Sequence, residues 1–393
     1  MHARTQVGIV GAGPAGLFLS HLLHLAGIES IVIENRAREY VEHRVRAGVL
    51  EQGTVDLMRQ TGLAARMDRE GLVHHGIEIR FDGRGHRIPL SDLADGRSIT
   101  IYGQQEVVKD LIAARLGADG DIRFEVDGVA VRDLETDRPS IRFVQGGSEE
   151  TIECDFIAGC DGFHGVTREA IPAGVLTEYH YEFPFAWLGI LASVAPSTDE
   201  LIYARHDLGF ALHSLRSPSI SRLYIQVDPS EDIEAWPDDR IWEQLRTRLG
   251  TDDGWVLHDG PVIEKNIALM RSFVVEPMQF ERLFLAGDAA HIVPATGAKG
   301  LNLAVADVYV LSRALAEFYR DGSRTLLDAY TETCLRRVWR AQDFSNYMSA
   351  MLHRYPGEDP FRDRLQRARL ETVCSSEPAA RSLATNYVGL PLP

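Results

Sequence analysis

The hexapeptide Gly11-Ala12-Gly13-Pro14-Ala15-Gly16 limits what this chain can fold into more than any other stretch. It follows an apolar run, Val7 to Val10, and precedes an apolar helical stretch, Leu17 to Leu25; Glu34 then closes a second apolar run, Ser30 to Ile33. A strand, a G-x-G-x-x-G turn, a helix, a second strand and a terminal acid at this spacing predict a βαβ unit over residues 1–36 that binds a dinucleotide. The glycines let the backbone turn tightly and approach a pyrophosphate, the helix N-terminus faces it, and the carboxylate takes a ribose hydroxyl.

Two later stretches end the same way. Leu283-Phe284-Leu285-Ala286 reads as a buried strand running into Gly287-Asp288-Ala289-Ala290-His291, and Phe156-Ile157-Ala158-Gly159 runs into Cys160-Asp161-Gly162. One Asp-Gly pair after a strand is ordinarily a turn. Three nucleotide-like strand ends in one chain point instead to FAD, because an Asp such as Asp288 accepts a hydrogen bond from a polyol chain and the next helix, opening near Leu301, presents its N-terminus.

A chain of 393 residues exceeds one usual core, so two or more sub-structures are expected. The net charge of −16 argues against nucleic acid as a partner, and an anionic substrate then needs a local positive site. No stretch approaches the roughly 18 uninterrupted apolar residues of a membrane span, and the N-terminus reads as βαβ rather than as a signal peptide. Cys154, Cys160, Cys334 and Cys374 show neither metal-ligand spacing nor a disulfide framework. No metal is expected, and the location is expected to be cytoplasmic.

The fold class expected is α/β (α+β): a Rossmann-like FAD-binding domain with an inserted antiparallel-sheet substrate domain and a helical C-terminal region. Residues 1–74, 98–178 and 266–345 are assigned to the discontinuous FAD part, 75–97 and 179–265 to the sheet, and 346–393 to a helical region forming a homodimer interface. Residues 44–74 read as polar and helical, Gln104 to Leu116 as an amphipathic helix, 122–160 as strands, and the chain from Leu301 to about Leu370 as mostly helical. Phe183 to Val194, Leu201 to His206, Gly209 to Ser217 and Arg222 to Val227 are short runs separated by Pro, Gly and Ser, an antiparallel pattern.

Alternation puts Ser214 and Arg216 on one strand face, and Arg222, Tyr224 and Gln226 on one face of the next strand. If Pro218-Ser219-Ile220 is a three-residue hairpin loop, Ser214 lies opposite Tyr224 and Arg216 opposite Arg222. A Ser, a Tyr and an Arg then share a patch suited to a carboxylate, since Arg offers a planar two-pronged donor. On residue pattern alone, a solvated polar sheet face accounts for the same alternation.

In these residues the chain resembles the flavoprotein aromatic hydroxylase family, and within it the 4-hydroxybenzoate 3-monooxygenases. The resemblance runs essentially end to end. It is carried by Arg46-Ala47-Gly48-Val49-Leu50-Glu51-Gln52, Ile157 through Gly165, Arg271 through Met278, Gly287 through Asn302, and the tail Asn386-Tyr387-Val388-Gly389-Leu390-Pro391. It implies that Gly11, Gly13, Gly16, Glu34, Arg46, Gln104, Asp288, Leu301 and Asn302 hold FAD. It implies that Ser214, Arg216 and Tyr224 hold the carboxylate of a small aromatic acid. Tyr203 would contact its phenol oxygen, and Tyr387 would continue a hydrogen-bond chain to His74, the member expected to titrate near neutrality. Arg44, His164 and Arg271 are implied nicotinamide-dinucleotide contacts, joined by Arg36 and Tyr40. The implied reaction converts 4-hydroxybenzoate to 3,4-dihydroxybenzoate with NADPH and O₂ through a flavin hydroperoxide, the site favouring the phenolate and carrying its proton out.

Two positions depart from the pattern. Pro294-Ala295-Thr296 stands where two successive prolines are usual before the Thr, so Ala295 presents the backbone carbonyl facing the phenol on a less rigid turn. This leaves 4-aminobenzoate or a dihydroxybenzoate open. Asn35-Arg36 stands where Arg then Gln are frequent; Arg36 supplies a charge for a 2′-phosphate, so NADPH is expected and NADH use stays open. A flavin-binding redox sensor is the alternative of another class, and such a protein needs no carboxylate cradle.

Overall fold

Four apolar runs, Val7–Val10, Ser30–Ile33, Phe156–Gly159 and Leu283–Leu285, are buried along their whole length. They pair in parallel in a six-stranded sheet whose order is Gln279–Phe280, Leu283–Leu285, Phe156–Gly159, Val7–Val10, Ser30–Ile33, Asp121–Arg123. Parallel strands are covered on both faces, which is why these read as continuous rather than alternating apolar runs. The helix Pro14–Leu25 packs against the helices Gln104–Gly117 and Gly300–Asp321. The structure, a computed structural model, describes residues 2–46, 48–357 and 359–393; Ala47 of the Arg46–Gln52 stretch lies outside the described residues.

An eight-stranded sheet carries the second half of the fold, in the order His291–Ile292, Val262–Glu276, Thr177–Ala192, Ile220–Val227, Ala211–Ser217, Leu201–Ala204, Ile77–Phe81, Arg84–Ile88. Its two faces bury different clusters, as a period of two requires. Leu188, Ile190, Leu223 and Ile225 pack with Trp242 and Leu245 of the helix Asp238–Leu249. Trp187, Tyr203 and Leu212 face the other way, in one cluster with Phe344, Met348 and Tyr387 of the C-terminal helices. The face that carries Ser214 and Arg222 is therefore not a solvated one; both residues are buried.

Several expectations are corrected. The hairpin loop is Pro218-Ser219, with Ser217 opposite Ile220, and the ladder is irregular between Leu215 and Ser217. Ser214 consequently lies opposite Arg222, and Leu212 opposite Tyr224. The sheet is not wholly antiparallel: Leu201–Ala204 and Ile77–Phe81 pair in parallel, because the chain returns between them by a long crossover. The polar stretch 44–74 holds two short strands, Val49–Leu50 and Leu72–His74, on either side of Ile99–Ile101. These exist only through that distant partner, so no local pattern marks them. Beyond the helix Tyr330–Leu352, the C-terminal region, read as helical, is built of the helices Pro360–Ser375 and Glu377–Tyr387, so this part needs no correction. Pro378 stands in the first turn of the latter, where a missing N–H costs nothing, and begins a helix rather than ending one.

Candidate active site

The three glycines of the opening hexapeptide do three different things. Gly11 has φ of +104°, and a Cβ there would lie 2.3 Å from the Cys160 carbonyl oxygen. Gly16 packs the helix onto the turn, where a Cβ would fall 2.0 Å from the Gly11 oxygen. Gly13, at the helix N-cap, has open space at its Cβ position, so its backbone is free to be approached. Glu34 is fixed beside it, accepting from the Ala12 N–H at 2.8 Å and the Arg36 N–H at 2.9 Å. This is an anion-facing helix end with an anchored acid, and it fits the pyrophosphate and ribose of a dinucleotide.

Gly287, with φ of +61°, turns the strand Leu283–Leu285 toward the same region. The turn is tied from behind: the Asp307 carboxylate accepts from the Gly287 N–H at 3.0 Å and from His291 Nε2 at 2.6 Å. Burial alone would lower the His291 pKa, but the attraction of Asp307 overrides it and the net direction is up. Sequence reasoning missed this buried pair, although His291 belongs to the motif it quoted. Asp288 itself is exposed to an opening yet deep among surrounding protein atoms. That surround pushes its carboxyl up, while His291, Arg46, Arg44 and Arg271 pull it down. Asp161 behaves differently from its apparent counterpart: its carboxylate accepts from the Thr167 N–H and hydroxyl at 2.9 and 2.5 Å and closes its own loop.

The remaining cofactor candidates occupy distinct places. Gln104 is half-buried in the first turn of the helix Gln104–Gly117. Leu301 and Asn302 stand in the first turn of the helix Gly300–Asp321. Asn302 is a tie: its Oδ1 accepts from the Glu51 N–H and the Thr54 hydroxyl, and its Nδ2 donates to the Val49 and Ala298 carbonyls. The coenzyme candidates form two groups. Arg36 and Arg44 lie 5.4 and 5.9 Å from the centre of the Tyr40 ring, whereas Arg271 stacks 4.7 Å over Phe163, whose ring meets His164 edge-on.

Between the eight-stranded sheet and the short strands Val49–Leu50 and Ile99–Ile101 lies a small cavity lined by Trp187, Tyr203, Leu212, Ser214, Arg216, Arg222, Tyr224, Ala295 and Ala298, with Val49 and Ile101. All four expected substrate contacts on the sheet meet there, together with Ala295. Arg216 occupies the irregular position of its strand, and its Nη2 donates to the Arg46 carbonyl at 2.6 Å while its Nε has no protein partner. No carboxylate pairs with it among the described residues, and burial lowers its pKa. Tyr203, which also lines the cavity, and Tyr387, both buried, share a hydroxyl–hydroxyl hydrogen bond of 2.5 Å. Burial raises both phenols above their usual range.

His74 is not joined to this pair. It is buried, and neither ring nitrogen has a hydrogen-bond partner among the described residues. Its expected titration near neutrality is corrected: desolvation lowers it to about 4, against the pull of Glu200 and Asp199. Arg222, Trp187 and Leu212 line the cavity without having been assigned; alternation along the strands had already put Arg222 on the face of Tyr224. Lys299 was also missed. It is buried and donates to Glu51 at 2.7 Å and to the Tyr387 carbonyl at 2.9 Å, so it clamps the tail that carries Tyr387. A larger open cleft of about 430 Å³ lies by Asp207, Arg248 and Arg354 and holds none of the expected residues.

The family described as FAD binding domain matches residues 4–345. The chain is 49% identical over 388 residues to p-hydroxybenzoate hydroxylase of Acinetobacter baylyi, covering 99% of this chain and 96% of that one. It is 28% identical over 338 residues to a rifampicin monooxygenase of Streptomyces venezuelae, covering 83% of this chain and 67% of that protein. In fold it is similar to the crystal structure of p-nitrophenol 4-monooxygenase from Pseudomonas putida, with a TM-score of 0.83 at 19% identity over 98% of this chain and 97% of that one.

Proposed function

This chain belongs to the FAD-binding flavoprotein aromatic hydroxylases, and on that premise we propose that it hydroxylates 4-hydroxybenzoate to 3,4-dihydroxybenzoate at the expense of NADPH and O₂. The observation that carries the reading is a cavity lined by both a guanidinium without an ion pair among the described residues, Arg216, and a phenol, Tyr203, whose hydroxyl is hydrogen-bonded to that of Tyr387. A flat anion with a carboxylate at one end and a phenol at the other satisfies both.

Bound FAD, once reduced by NADPH, supplies the electrophilic oxygen taken from O₂. Gly11, Gly13, Gly16 and Glu34 would hold its adenosine half, and Arg46, Gln104, Asp288, Leu301 and Asn302 the remainder. Arg216, Ser214 and Tyr224 orient the ring by its carboxylate. Tyr203 would take the phenol proton while handing its own to Tyr387, which would release its hydroxyl proton toward solvent, so both tyrosines end neutral and the substrate is left as the far more nucleophilic phenolate. The sheet face, closed by the C-terminal helices, excludes water from the attack. NADPH would be read at Arg36, Tyr40 and Arg44, with Arg271 and His164 facing it. We further propose a cytoplasmic homodimer; Tyr347, Phe361 and Leu365 expose apolar side chains on two C-terminal helices, as a subunit contact needs.

The deciding experiment identifies products from the purified yellow protein with a panel of substituted benzoates, using NADPH and NADH in parallel. Formation of 3,4-dihydroxybenzoate with NADPH consumed one for one is the expected result. Turnover of only 4-aminobenzoate or a dihydroxybenzoate would move the substrate assignment to Ala295, which softens the turn facing the ring. NADPH oxidation indifferent to every aromatic acid would favour a redox sensor.

A further inference from the structure

Three neighbouring strands place Asn266, Gly189 and Tyr224 side by side: Gly189 is the register partner of both others. Arg222, two residues before Tyr224 and on the same face, crosses this row. Its guanidinium stacks 5.3 Å from the centre of the Tyr224 ring, its Nε donates to the Tyr224 hydroxyl at 3.3 Å, and its Nη2 donates to Asn266 Oδ1 at 3.2 Å. Arg222 is buried and makes no ion pair among the described residues. Its orientation therefore depends on Asn266 and on the space above Gly189. A Cβ at Gly189 would stand 2.9 Å from Arg222 Nη2 and 2.8 Å from Asn266 Oδ1, and would part them.

The consequence concerns one proton. An arginine N–H only donates, so the Tyr224 oxygen accepts from Arg222. The single phenolic proton of Tyr224 is then left to point elsewhere, into the cavity. A hydroxyl held as a donor suits an anion and rejects a donor group. Resting on the proposed function, we infer that Asn266 and Gly189 are positioning residues that act through Arg222 to keep the Tyr224 hydroxyl donating to the substrate carboxylate.

The test titrates 4-hydroxybenzoate into the FAD-loaded protein, following the flavin absorbance, in four forms: wild type, Asn266→Ala, Tyr224→Phe, and the double variant. Asn266→Ala is expected to weaken binding roughly three- to tenfold, raising KM while kcat stays within about twofold. Asn266 is an exposed residue, which keeps the effect at that size. In the Tyr224→Phe background the same change should add less than about 1.5-fold, because the hydroxyl it acts on is gone. Gly189→Ala, whose strand backbone accepts an alanine, should reproduce the loss seen in Asn266→Ala. An Asn266→Ala protein that binds like wild type overturns the inference, and so does an undiminished loss in the Tyr224→Phe background. A wild-type protein that holds FAD but responds to no benzoate refutes the proposed function itself, and this inference with it.

Discussion

At the scale of single residues, the proposed function divides the cavity into groups that hold the substrate and groups that react. Arg216 holds. Its replacement by Ala removes a charged two-pronged donor from the cavity, at a cost of about 3 kcal/mol or roughly 100-fold in 4-hydroxybenzoate affinity. FAD content should be unchanged, since the guanidinium touches the cofactor loop only through the Arg46 carbonyl. Equal affinity in a titration of Arg216→Ala would show the carboxylate sits elsewhere. Tyr203 reacts. Tyr203→Phe should keep substrate binding within a few-fold and lose most hydroxylation, with NADPH oxidation diverted to hydrogen peroxide; assaying NADPH, peroxide and product together decides it. His74 has a different consequence, on stability. Its pKa falls from an ordinary 6.5 unfolded to about 4 folded. Between those values the unfolded chain binds the extra proton, so stability is whole above pH 6.5 and declines as pH falls toward 4. The full effect is on the order of 3 kcal/mol. His74→Gln should lose less Tm than wild type between pH 7 and pH 4.5; an identical drop in both proteins would refute this.

At the scale of elements, what the sequence made visible and what it hid follow one physical line. Gly11 and Gly16 were legible because each answers a local demand that no other residue meets, a left-handed φ at one and contact with the Gly11 carbonyl at the other, whereas Gly13 leaves its space open. The strands Val7–Val10 and Phe156–Gly159 were legible from burial on both faces. The hairpin register was not. A two-residue turn at Pro218-Ser219 and an irregularity at Arg216 together shift the pairing, and period-two counting has no means of seeing a residue dropped from the ladder. That same irregularity frees Arg216 to reach the Arg46 carbonyl. The surroundings of His74 were hidden for another reason: its burial is set by segments far away in sequence. The Asp307 tie is testable at this scale. It joins the helix Gly300–Asp321 to the turn that presents Asp288. Asp307→Ala should raise the FAD dissociation constant at least about tenfold, because a buried N–H and a histidine lose their shared acceptor. Flavin fluorescence released on dilution measures it; unaltered retention would mean the turn stands without the tie.

At the scale of the whole molecule, the order of strands in the parallel sheet carries a consequence for how the protein is made. Phe156–Gly159 sits between Val7–Val10 and Leu283–Leu285. Four of the six strands of the nucleotide-binding sheet therefore emerge from the ribosome long before Leu283–Leu285 exists, and five of the eight strands of the other sheet are synthesised in the interval. Loop-closure entropy must be met over that entire stretch before the pairing rewards it, which makes completion of the sheet a late and slow event. Until then one edge of Phe156–Gly159 lacks its partner and is open to pairing with other chains. A nascent chain stopped after residue 270 should be protease-sensitive and colourless when released into excess FAD, whereas one carried through the helix Gly300–Asp321 should begin to retain the flavin. Synthesis, on this reading, delivers an aggregation-prone intermediate whose lifetime is set by how fast the ribosome reaches Leu285.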